Sequence, residues 1–508
     1  MLFRSLAVAA GILGLLIAIK FQPTLFHAAE IPLEKKSTEY RFVKINCWFE
    51  ADWQATITCG ELHTPESHGA FTLPVVILHS DHSGAQPDPV VYLQGGPGAS
   101  AGLHADGIKR WLNWMRLANI KRDLILTDPR GTGRSRPALV CAEYNRANQQ
   151  LFKQNKSLGE ELAESFSVTS QCFSDAGKNN PALEYRHFST QLSAQDIRAL
   201  MAELDYAQWN IIGVSYGTRL ALEIARQEQF LPQTVKLKSM VLDSIYPAGF
   251  GGVQTWPQVL DDAVQSFLKG CAEQNECAKS RGIAEEELQI SLVNALQRLR
   301  QEPMLITIKH WDGEAPMQWL VNDHRFVSLV FSGIYDPLDW PKIMDAIRGV
   351  NDGRSDMLKP LAEPYLNNSV SADFNSLTFT AVDCADNPVM PEADYRASVN
   401  KYPLLEDYTR DQWRYQLCHE LRSVAPLQLA EPLVPTLILA GAKDPITPVS
   451  WAKEIHRQWP QTQLRINEDL AHSVLGSDVC VLENLASFFD RPETPFVACE
   501  ELAQTATP

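Results

Sequence analysis

The chain has 508 residues, of which 45% are hydrophobic and 21% charged, and its formal net charge at pH 7 is −16. This length allows two or three domains or one large core with insertions, and the composition is that of an ordinary globular protein rather than a disordered or membrane-embedded one. The negative charge argues against a nucleic-acid partner, since phosphates would be repelled, and no basic stripe with interleaved aromatic residues is present.

The first predicted element is an apolar leader at residues 5–19, between Arg4 and Lys20. It is shorter than the roughly 20 residues that cross a bilayer, so it is typical of an export signal. Residues 26–29 do not form a clear small-residue cleavage site, and an uncleaved membrane anchor is therefore the alternative. We predict that residues 1–29 are a signal peptide or N-terminal anchor and that the protein is exported, to the periplasm or the cell exterior.

The elements after the leader predict a layered α/β core. Antiparallel strands are expected within residues 38–78, at 55–59 and 71–78. Short apolar runs then alternate with helical stretches such as 192–204, which predicts a mostly parallel sheet with helices on both faces and a ligand site at the carboxyl ends of its strands. The predicted parallel strands are residues 90–94, 124–127, 210–213, 239–243, 436–440 and 463–466.

This alternation stops between Asp243 and Pro435. Apolar residues three and four apart predict helices there, at 259–271, 284–299 and 326–335. Because both ends return to the same sheet, we interpret the stretch as a lid over the site, with an independent second domain as the alternative. The predicted organisation is a first core part at residues 30–246, a mainly helical cap at 247–432 and a second core part at 433–508.

Residues 213–217 (GVSYG) match the G-x-S-x-G pattern of a nucleophilic serine, Ser215. They follow a predicted strand and precede a helical stretch, which is the strand, sharp turn and helix that this chemistry requires. The turn leaves no room for a Cβ at Gly213 or Gly217. A chance match of a loose pattern is the alternative, so the assignment of Ser215 as a nucleophile needs support from other parts of the chain.

Two further loops follow predicted strands and hold candidate partners for Ser215. Asp444 follows residues 436–440, and His472 follows residues 463–466. A serine hydroxyl needs a histidine to take its proton and a carboxylate to fix the tautomer of that histidine. Taken singly, Asp444 is explained as a turn cap and His472 as a structural histidine. Their order and positions favour a Ser215, Asp444 and His472 triad.

A glycine-rich loop, residues 95–98 (GGPG), supplies a candidate oxyanion hole. It follows the predicted strand 90–94, and its missing side chains let the backbone approach a ligand closely. The two donors would be the backbone amides of Gly96 and Tyr216. A phosphate cradle is the alternative, but the lysine and Ser/Thr of a P-loop are absent.

These motifs, with residues 128–135 (DPRGTGRS), together resemble the α/β-hydrolase serine peptidases of the proline iminopeptidase and tripeptidyl aminopeptidase group. The resemblance implies an α/β-hydrolase fold and an exopeptidase that acts at a free amino terminus, with the triad and oxyanion roles given above. Proline iminopeptidases usually have a histidine where Gln94 stands, which favours the tripeptidyl branch. A glycine is common where Ser473 stands.

The stretch from about Leu421 onward is similar to the C-terminal region of secreted tripeptidyl aminopeptidases. Residues 382–386 (VDCAD) resemble a cysteine and acid pattern near the end of the lid in the same branch. An aminopeptidase has to bind the substrate's ammonium group, and a carboxylate near the pocket is the simplest means. Asp386 is the first candidate and Asp383 the second. A solvated surface group or a turn cap is the alternative for both.

The ten cysteines of an exported chain are expected to form disulfides. Sequence does not fix the pairing, but neighbours in order make a plausible set. The pairs are Cys47 with Cys59, Cys141 with Cys172, Cys271 with Cys277, Cys384 with Cys418, and Cys480 with Cys499. No Cys-x-x-Cys or His-Glu-x-x-His spacing occurs, so no metal is expected.

The sequence as a whole predicts an exported serine aminopeptidase, of tripeptidyl or prolyl type, that needs no cofactor and acts on peptides through an acyl-enzyme intermediate. A membrane contact is expected only through the N-terminal segment. A carboxylesterase is the second hypothesis, because the same fold and triad serve esters. A non-catalytic binding protein on this fold is the third, and it would predict a damaged triad.

Overall fold

The computed structural model describes residues 39–50, 56–80, 84–139, 150–179, 183–231, 233–309, 316–369, 374–387, 389–421 and 426–497. The predicted leader lies outside these ranges. Within them, no helix combines the length and the apolar character that crossing a bilayer requires.

The strands of the described chain form one large sheet and one small sheet. They are β1 (Arg41–Ile45), β2 (Ile57–His63), β3 (Thr72–Leu78), β4 (Val90–Leu93), β5 (Leu124–Thr127), β6 (Gln208–Val214), β7 (Lys236–Asp243), β8 (Met304–Ile308), β9 (Met317–Val321), β10 (Thr436–Gly441) and β11 (Gln463–Asn467). The large sheet has nine strands in the order β1-β2-β3-β5-β4-β6-β7-β10-β11. The pairs from β1 through β3 to β5 are antiparallel, and those from β5 through β4 to β11 are parallel.

Helices cover both faces of the large sheet and also fill the stretch between β7 and β10. They are α1 (Ala105–Leu117), α2 (Leu158–Asn179), α3 (Thr190–Glu203), α4 (Tyr216–Phe230), α5 (Trp256–Glu273), α6 (Glu285–Gln301), α7 (Asp323–Ile334), α8 (Trp340–Asp352), α9 (Lys359–Ser369), α10 (Ser376–Asp386), α11 (Glu392–Val399), α12 (Glu406–Thr409), α13 (Cys418–Leu421), α14 (Val449–Gln458) and α15 (Val479–Asp490).

The parallel strands β4–β7 and β10 divide their side chains between two apolar clusters, whereas β11, at the sheet edge, has no fully buried residue. In β4, Val91 and Leu93 join the cluster that holds α3, α4 and α14, while Val90 and Tyr92 join the cluster that holds α1 and α15. Successive residues of a strand point to opposite faces, so a strand covered on both faces is apolar throughout. This is why β4–β7 and β10 were recognisable as short apolar runs.

Helices α5–α13 and the β8–β9 pair lie between β7 and β10 in the chain. The apolar side chains of α5–α9, β8 and β9 form a separate cluster, in which Trp319 and Trp340 are fully buried, whereas those of α10 and α13 join the cluster that holds α3, α4 and α14. The start of α10 is fixed to the sheet side of the molecule, because the Asn375 amide donates to the Gly98 carbonyl oxygen at 2.8 Å. The helices predicted in this stretch are present, whereas the antiparallel β8–β9 pair was not predicted.

Three of the five predicted disulfides occur in the structure: Cys47–Cys59, Cys271–Cys277 and Cys384–Cys418. The Cys384–Cys418 bond joins α10 to α13. The other two predicted pairs include Cys141 and Cys499, which lie outside the described residues.

Candidate active site

Ser215 lies in a sharp turn between β6 and α4. Its φ of 56° and ψ of −121° are strained for a residue with a side chain. A Cβ at Gly213 would lie 2.5 Å from the Gly217 carbonyl oxygen, and a Cβ at Gly217 would lie 2.0 Å from the Leu93 carbonyl oxygen. Both positions therefore require glycine, and the turn places Ser215 at the carboxyl end of β6.

Asp444 and His472 form a hydrogen-bonded pair at the same edge of the sheet. His472 Nδ1 lies 2.8 Å from Asp444 Oδ2. The other oxygen, Oδ1, accepts the backbone amides of Ile446 and Thr447 at 3.0 and 2.9 Å. The Thr447 hydroxyl donates to Oδ2 at 2.7 Å. Because Nδ1 faces an acceptor, the network assigns the imidazole proton to Nδ1 and leaves Nε2 as the basic nitrogen.

The surroundings of this pair lower the pKa of Asp444 and raise the pKa of His472. Burial raises the pKa of Asp444, but the charge and hydrogen bond of His472, with those from Thr447, outweigh burial and hold it below its ordinary value. Burial lowers the pKa of His472, but the charge and hydrogen bond of Asp444, and the charge of Asp243, bring it above the ordinary value of 6.5. The buried carboxylate thus stabilises a protonated imidazole.

The loop at residues 95–98 lies against Ser215. A Cβ on Gly95 would lie 3.7 Å from the Ser215 hydroxyl oxygen. Gly96, with a φ of 112°, lines the same cleft as Ser215. Among the described residues, the backbone amides of Gly96 and Tyr216 have no acceptor. The Tyr216 side chain is engaged elsewhere, since its hydroxyl lies 2.7 Å from that of Thr190. No group among the described residues therefore competes for these two predicted oxyanion donors.

A cleft of about 180 Å³ opens beside Ser215. It is lined by segments on both sides of the sheet edge, including α2, α5, α10 and the loop after β10. Among the described lining residues, Asp383 has the only charged side chain. The aromatic lining residues are Phe166, Tyr246, Trp256, Phe374, Phe379, Tyr415 and Trp451.

Of the two candidate amine-binding residues, only the second, Asp383, lines the cleft. Asp386 does not line the cleft: its carboxylate is buried, accepts the Thr190 amide and hydroxyl at 3.3 and 2.6 Å, and lies 3.7 Å from Arg219. Burial raises its pKa to about 6 despite these partners. Asp383, one turn earlier on α10, does line the cleft, and its Oδ1 accepts the Asn387 amide group at 2.8 Å. Asp386 is thus held by Thr190 and Arg219, and Asp383 is the candidate that lines the cleft.

Three residues of the site were missed from the sequence. Thr447 donates to Asp444, and Tyr335, at the end of α7, places its ring edge-on to His472 with 5.7 Å between ring centroids. Asp243, at the end of β7, accepts hydrogen bonds from the loop after His472. Only Asp243 carried a sequence signal, because it ends a predicted parallel strand on the edge where the site lies.

Two protein-family models match the parts of the chain that carry the candidate triad. A model of the α/β-hydrolase fold matches residues 88–278, which include Ser215, and a model described as TAP-like protein matches residues 406–499, which include Asp444 and His472. The chain has the α/β-hydrolase fold. This α/β-hydrolase is 24% identical over 465 residues to serine protease Hip1 of Mycobacterium tuberculosis, with 86% of each chain covered.

Other relatives of this α/β-hydrolase are similarly distant. Tripeptidyl aminopeptidase of Streptomyces lividans is 24% identical over 501 residues, covering 90% of this chain and 86% of the relative. The putative hydrolase YuaR of Escherichia coli is 22% identical over 416 residues, covering 78% and 76%. A solved proline iminopeptidase of Mycobacterium smegmatis has a TM-score of 0.35 and 13% identity, covering 83% of this chain and 96% of its own.

These matches confirm the predicted fold and the predicted resemblance. The α/β-hydrolase is a serine hydrolase with a TAP-like C-terminal region, similar to serine peptidases of the tripeptidyl aminopeptidase group.

Proposed function

We propose that this α/β-hydrolase is an exported serine aminopeptidase that cleaves peptides from a free amino terminus. The observation that carries the proposal is the cleft beside Ser215, in which Asp383 is the only charged side chain among the described lining residues. Such a cleft suits a substrate with one positive charge, an apolar body and a carbonyl group within reach of a serine.

In the proposed reaction, Ser215 Oγ attacks the scissile carbonyl carbon while His472 Nε2 takes the hydroxyl proton. The amides of Gly96 and Tyr216 donate to the negative oxygen of the tetrahedral intermediate. Collapse of the intermediate breaks the C–N bond, and His472 returns the proton to the leaving amine. Water then hydrolyses the acyl-enzyme by the same proton transfers, and Asp444 stabilises the imidazolium throughout.

Recognition of the amino terminus is assigned to Asp383. Burial raises the pKa of this carboxyl, although the charge of Arg219 and the hydrogen bond from Asn387 oppose the shift. A bound ammonium group would favour the charged carboxylate. No lysine or arginine is present among the described lining residues, so the cleft offers a counter-charge to an amino terminus and none to a peptide carboxylate. This favours an aminopeptidase over a carboxypeptidase.

Export is supported by the cysteines. The disulfides Cys47–Cys59, Cys271–Cys277 and Cys384–Cys418 are spread over the chain, and such bonds persist in oxidising compartments. Together with the apolar run at residues 5–19, they favour a periplasmic or extracellular location.

The test compares free and N-acetylated peptide anilides and short-chain esters as substrates for the wild type, Ser215→Ala and Asp383→Asn. Ser215→Ala should abolish turnover of all of them. Asp383→Asn keeps an oxygen for Asn387 but loses the charge, so kcat/KM for free peptides should fall about 10- to 150-fold, the loss of one charge-assisted hydrogen bond. Turnover of acetylated peptides should stay low in every variant.

Asp394→Asn, at an exposed position on α11, is the matched control and should behave as the wild type. Equal turnover of acetylated and free peptides would contradict the aminopeptidase proposal, and a preference for esters would indicate a carboxylesterase. Absence of any turnover that depends on Ser215 would leave a non-catalytic binding protein.

A further inference from the structure

Asp243 is a fully buried carboxylate that the proposed reaction does not use. It is the last residue of β7, the strand beside the one that leads to Ser215. A buried carboxylate is costly unless its oxygens accept hydrogen bonds, so its partners show what it stabilises.

Besides the Ser244 hydroxyl, which donates to Oδ1 at 3.3 Å, those partners are two backbone amides of the loop that follows His472. Asp243 Oδ1 accepts the Val474 amide at 2.9 Å, and Oδ2 accepts the Leu475 amide at 2.8 Å. The residue after β7, Ser244, uses its hydroxyl to accept the Ser473 amide at 2.9 Å. Three consecutive amides of the histidine loop are therefore held by two adjacent side chains.

The same residue is also tied to the nucleophile. The carbonyl oxygen of Asp243 accepts the Ser215 amide at 2.9 Å. Ser473 has a φ of 69°, so the chain turns sharply immediately after His472. The hydrogen bonds of Asp243 and Ser244 fix the loop in this turn, and through it the place of the imidazole relative to the serine.

We propose that Asp243 is a positioning residue for the hydrolytic reaction: it anchors the His472 loop to the strand that supports Ser215. This inference rests on the proposed function of the Ser215 site. It assigns a second carboxylate to the site. Asp243 contacts the backbone of the His472 loop, whereas Asp444 contacts the imidazole.

Asp243 also acts on His472 through its charge. Three titratable groups face it: His472, Asp444 on the loop after β10, and Tyr92 on β4. Burial raises the pKa of Asp243 to about 6, although the two amides and His472 oppose the shift. Its negative charge in turn raises the pKa of His472. Removing the charge should therefore lower the pKa of the imidazole, which a residue with only a structural role would not do.

The experiment measures kcat and KM for a free peptide anilide between pH 5 and 9 in the wild type, Asp243→Asn and Ser244→Gly. Asparagine keeps one acceptor oxygen and loses the charge. Glycine removes the hydroxyl that holds Ser473 and tolerates the φ of 59° at this position. We expect kcat to fall about 10- to 100-fold in both variants with little change in KM, the effect of a displacement of about 1 Å. Only Asp243→Asn should shift the acidic limb of kcat/KM, toward lower pH.

Asp88→Asn is the matched control. Asp88 is a buried carboxylate that binds Lys238 of the same strand, β7, at its opposite end. This variant should retain the wild-type pH profile. Circular dichroism and thermal melting would show whether each variant folds, and Ser244→Gly tests the anchoring even if Asp243→Asn does not fold.

Wild-type kcat and pH profile in folded Asp243→Asn, or wild-type kcat in folded Ser244→Gly, would overturn the inference. Failure of the proposed function gives a different result, because the wild type itself would then not turn over free peptide anilides.

Discussion

Replacing Asp444 by asparagine tests whether the site needs one particular tautomer of His472. In the wild type, Oδ1 accepts two backbone amides, and Oδ2 accepts the Thr447 hydroxyl and the proton on His472 Nδ1. An asparagine keeps the amide pair only if its oxygen occupies the Oδ1 position. Its NH₂ group then points at His472, so Nδ1 has to become an acceptor and the proton moves to Nε2.

A proton on Nε2 removes the base that Ser215 requires. The corresponding change in a well-studied serine protease triad lowers kcat about 10⁴-fold, which is about 5.4 kcal/mol of transition-state stabilisation. We expect kcat to fall about 10³- to 10⁴-fold here, because the backbone amides of Ile446 and Thr447 hold the asparagine oxygen at the Oδ1 position and so direct its NH₂ group at His472. The fold should persist, since three of the four hydrogen bonds can still form.

The assay is single-turnover cleavage of a free peptide anilide, with thermal melting in parallel. Asp469→Asn is the control, since this aspartate lies close to the site in sequence but is 94% exposed. A folded Asp444→Asn variant with a rate within a few-fold of the wild type would refute the tautomer argument and the triad with it.

Three further outcomes follow from the geometry. Because the neutral imidazole is the base and the pKa of His472 lies above 6.5, kcat/KM should fall as pH drops through a midpoint above about 6.5, measured from a pH profile. Gly217→Ala would place a Cβ 2.0 Å from a carbonyl oxygen of β4, so it should lose activity or solubility, whereas Gly177→Ala, which meets only one atom at 3.9 Å, should lose neither. Serine replacement of the Cys384–Cys418 pair should lower the free energy of unfolding by about 4 kcal/mol and reduce activity. The Cys271–Cys277 pair closes a shorter loop away from the cleft, so its replacement should lower the free energy of unfolding by about 2 kcal/mol and leave activity unchanged. Thermal melting and residual turnover measure both effects.

The parallel strands β4–β7 and β10 were predictable because they are buried on both faces. β5 is apolar at three of four positions and fully buried, which separates it from helical periodicity. β1 lies at the sheet edge and has no fully buried residue, so no hydrophobic pattern marked it. β8 alternates buried and exposed residues within a stretch that is otherwise helical, and the longer helical patterns around it concealed the signal.

The candidate site shows where sequence reasoning ends. Ser215, Asp444 and His472 could be placed because each follows a recognisable strand. The choice between Asp383 and Asp386 could not be made, since residues three apart on a helix share roughly one face. What separates them is the position of Thr190 and Arg219, which come from α3 and α4 and bind Asp386 from the core side. Tertiary packing alone decides which carboxylate reaches the cleft.

The separate origins of the catalytic loops and of Asp383 also limit which products the site can release. Every group assigned to the scissile carbonyl comes from a loop at the edge of the large sheet, whereas Asp383 comes from α10. Helix α10 is attached to that sheet at both ends, by Asn375 to the 95–98 loop and by Asp386 to α3 and α4. The separation between Asp383 and Ser215 is therefore fixed by buried contacts. With Asp383 as the amine-binding group, this fixed separation sets the number of residues between the substrate's ammonium group and the cleaved bond. The length of the product is then determined separately from the side-chain preference of the cleft.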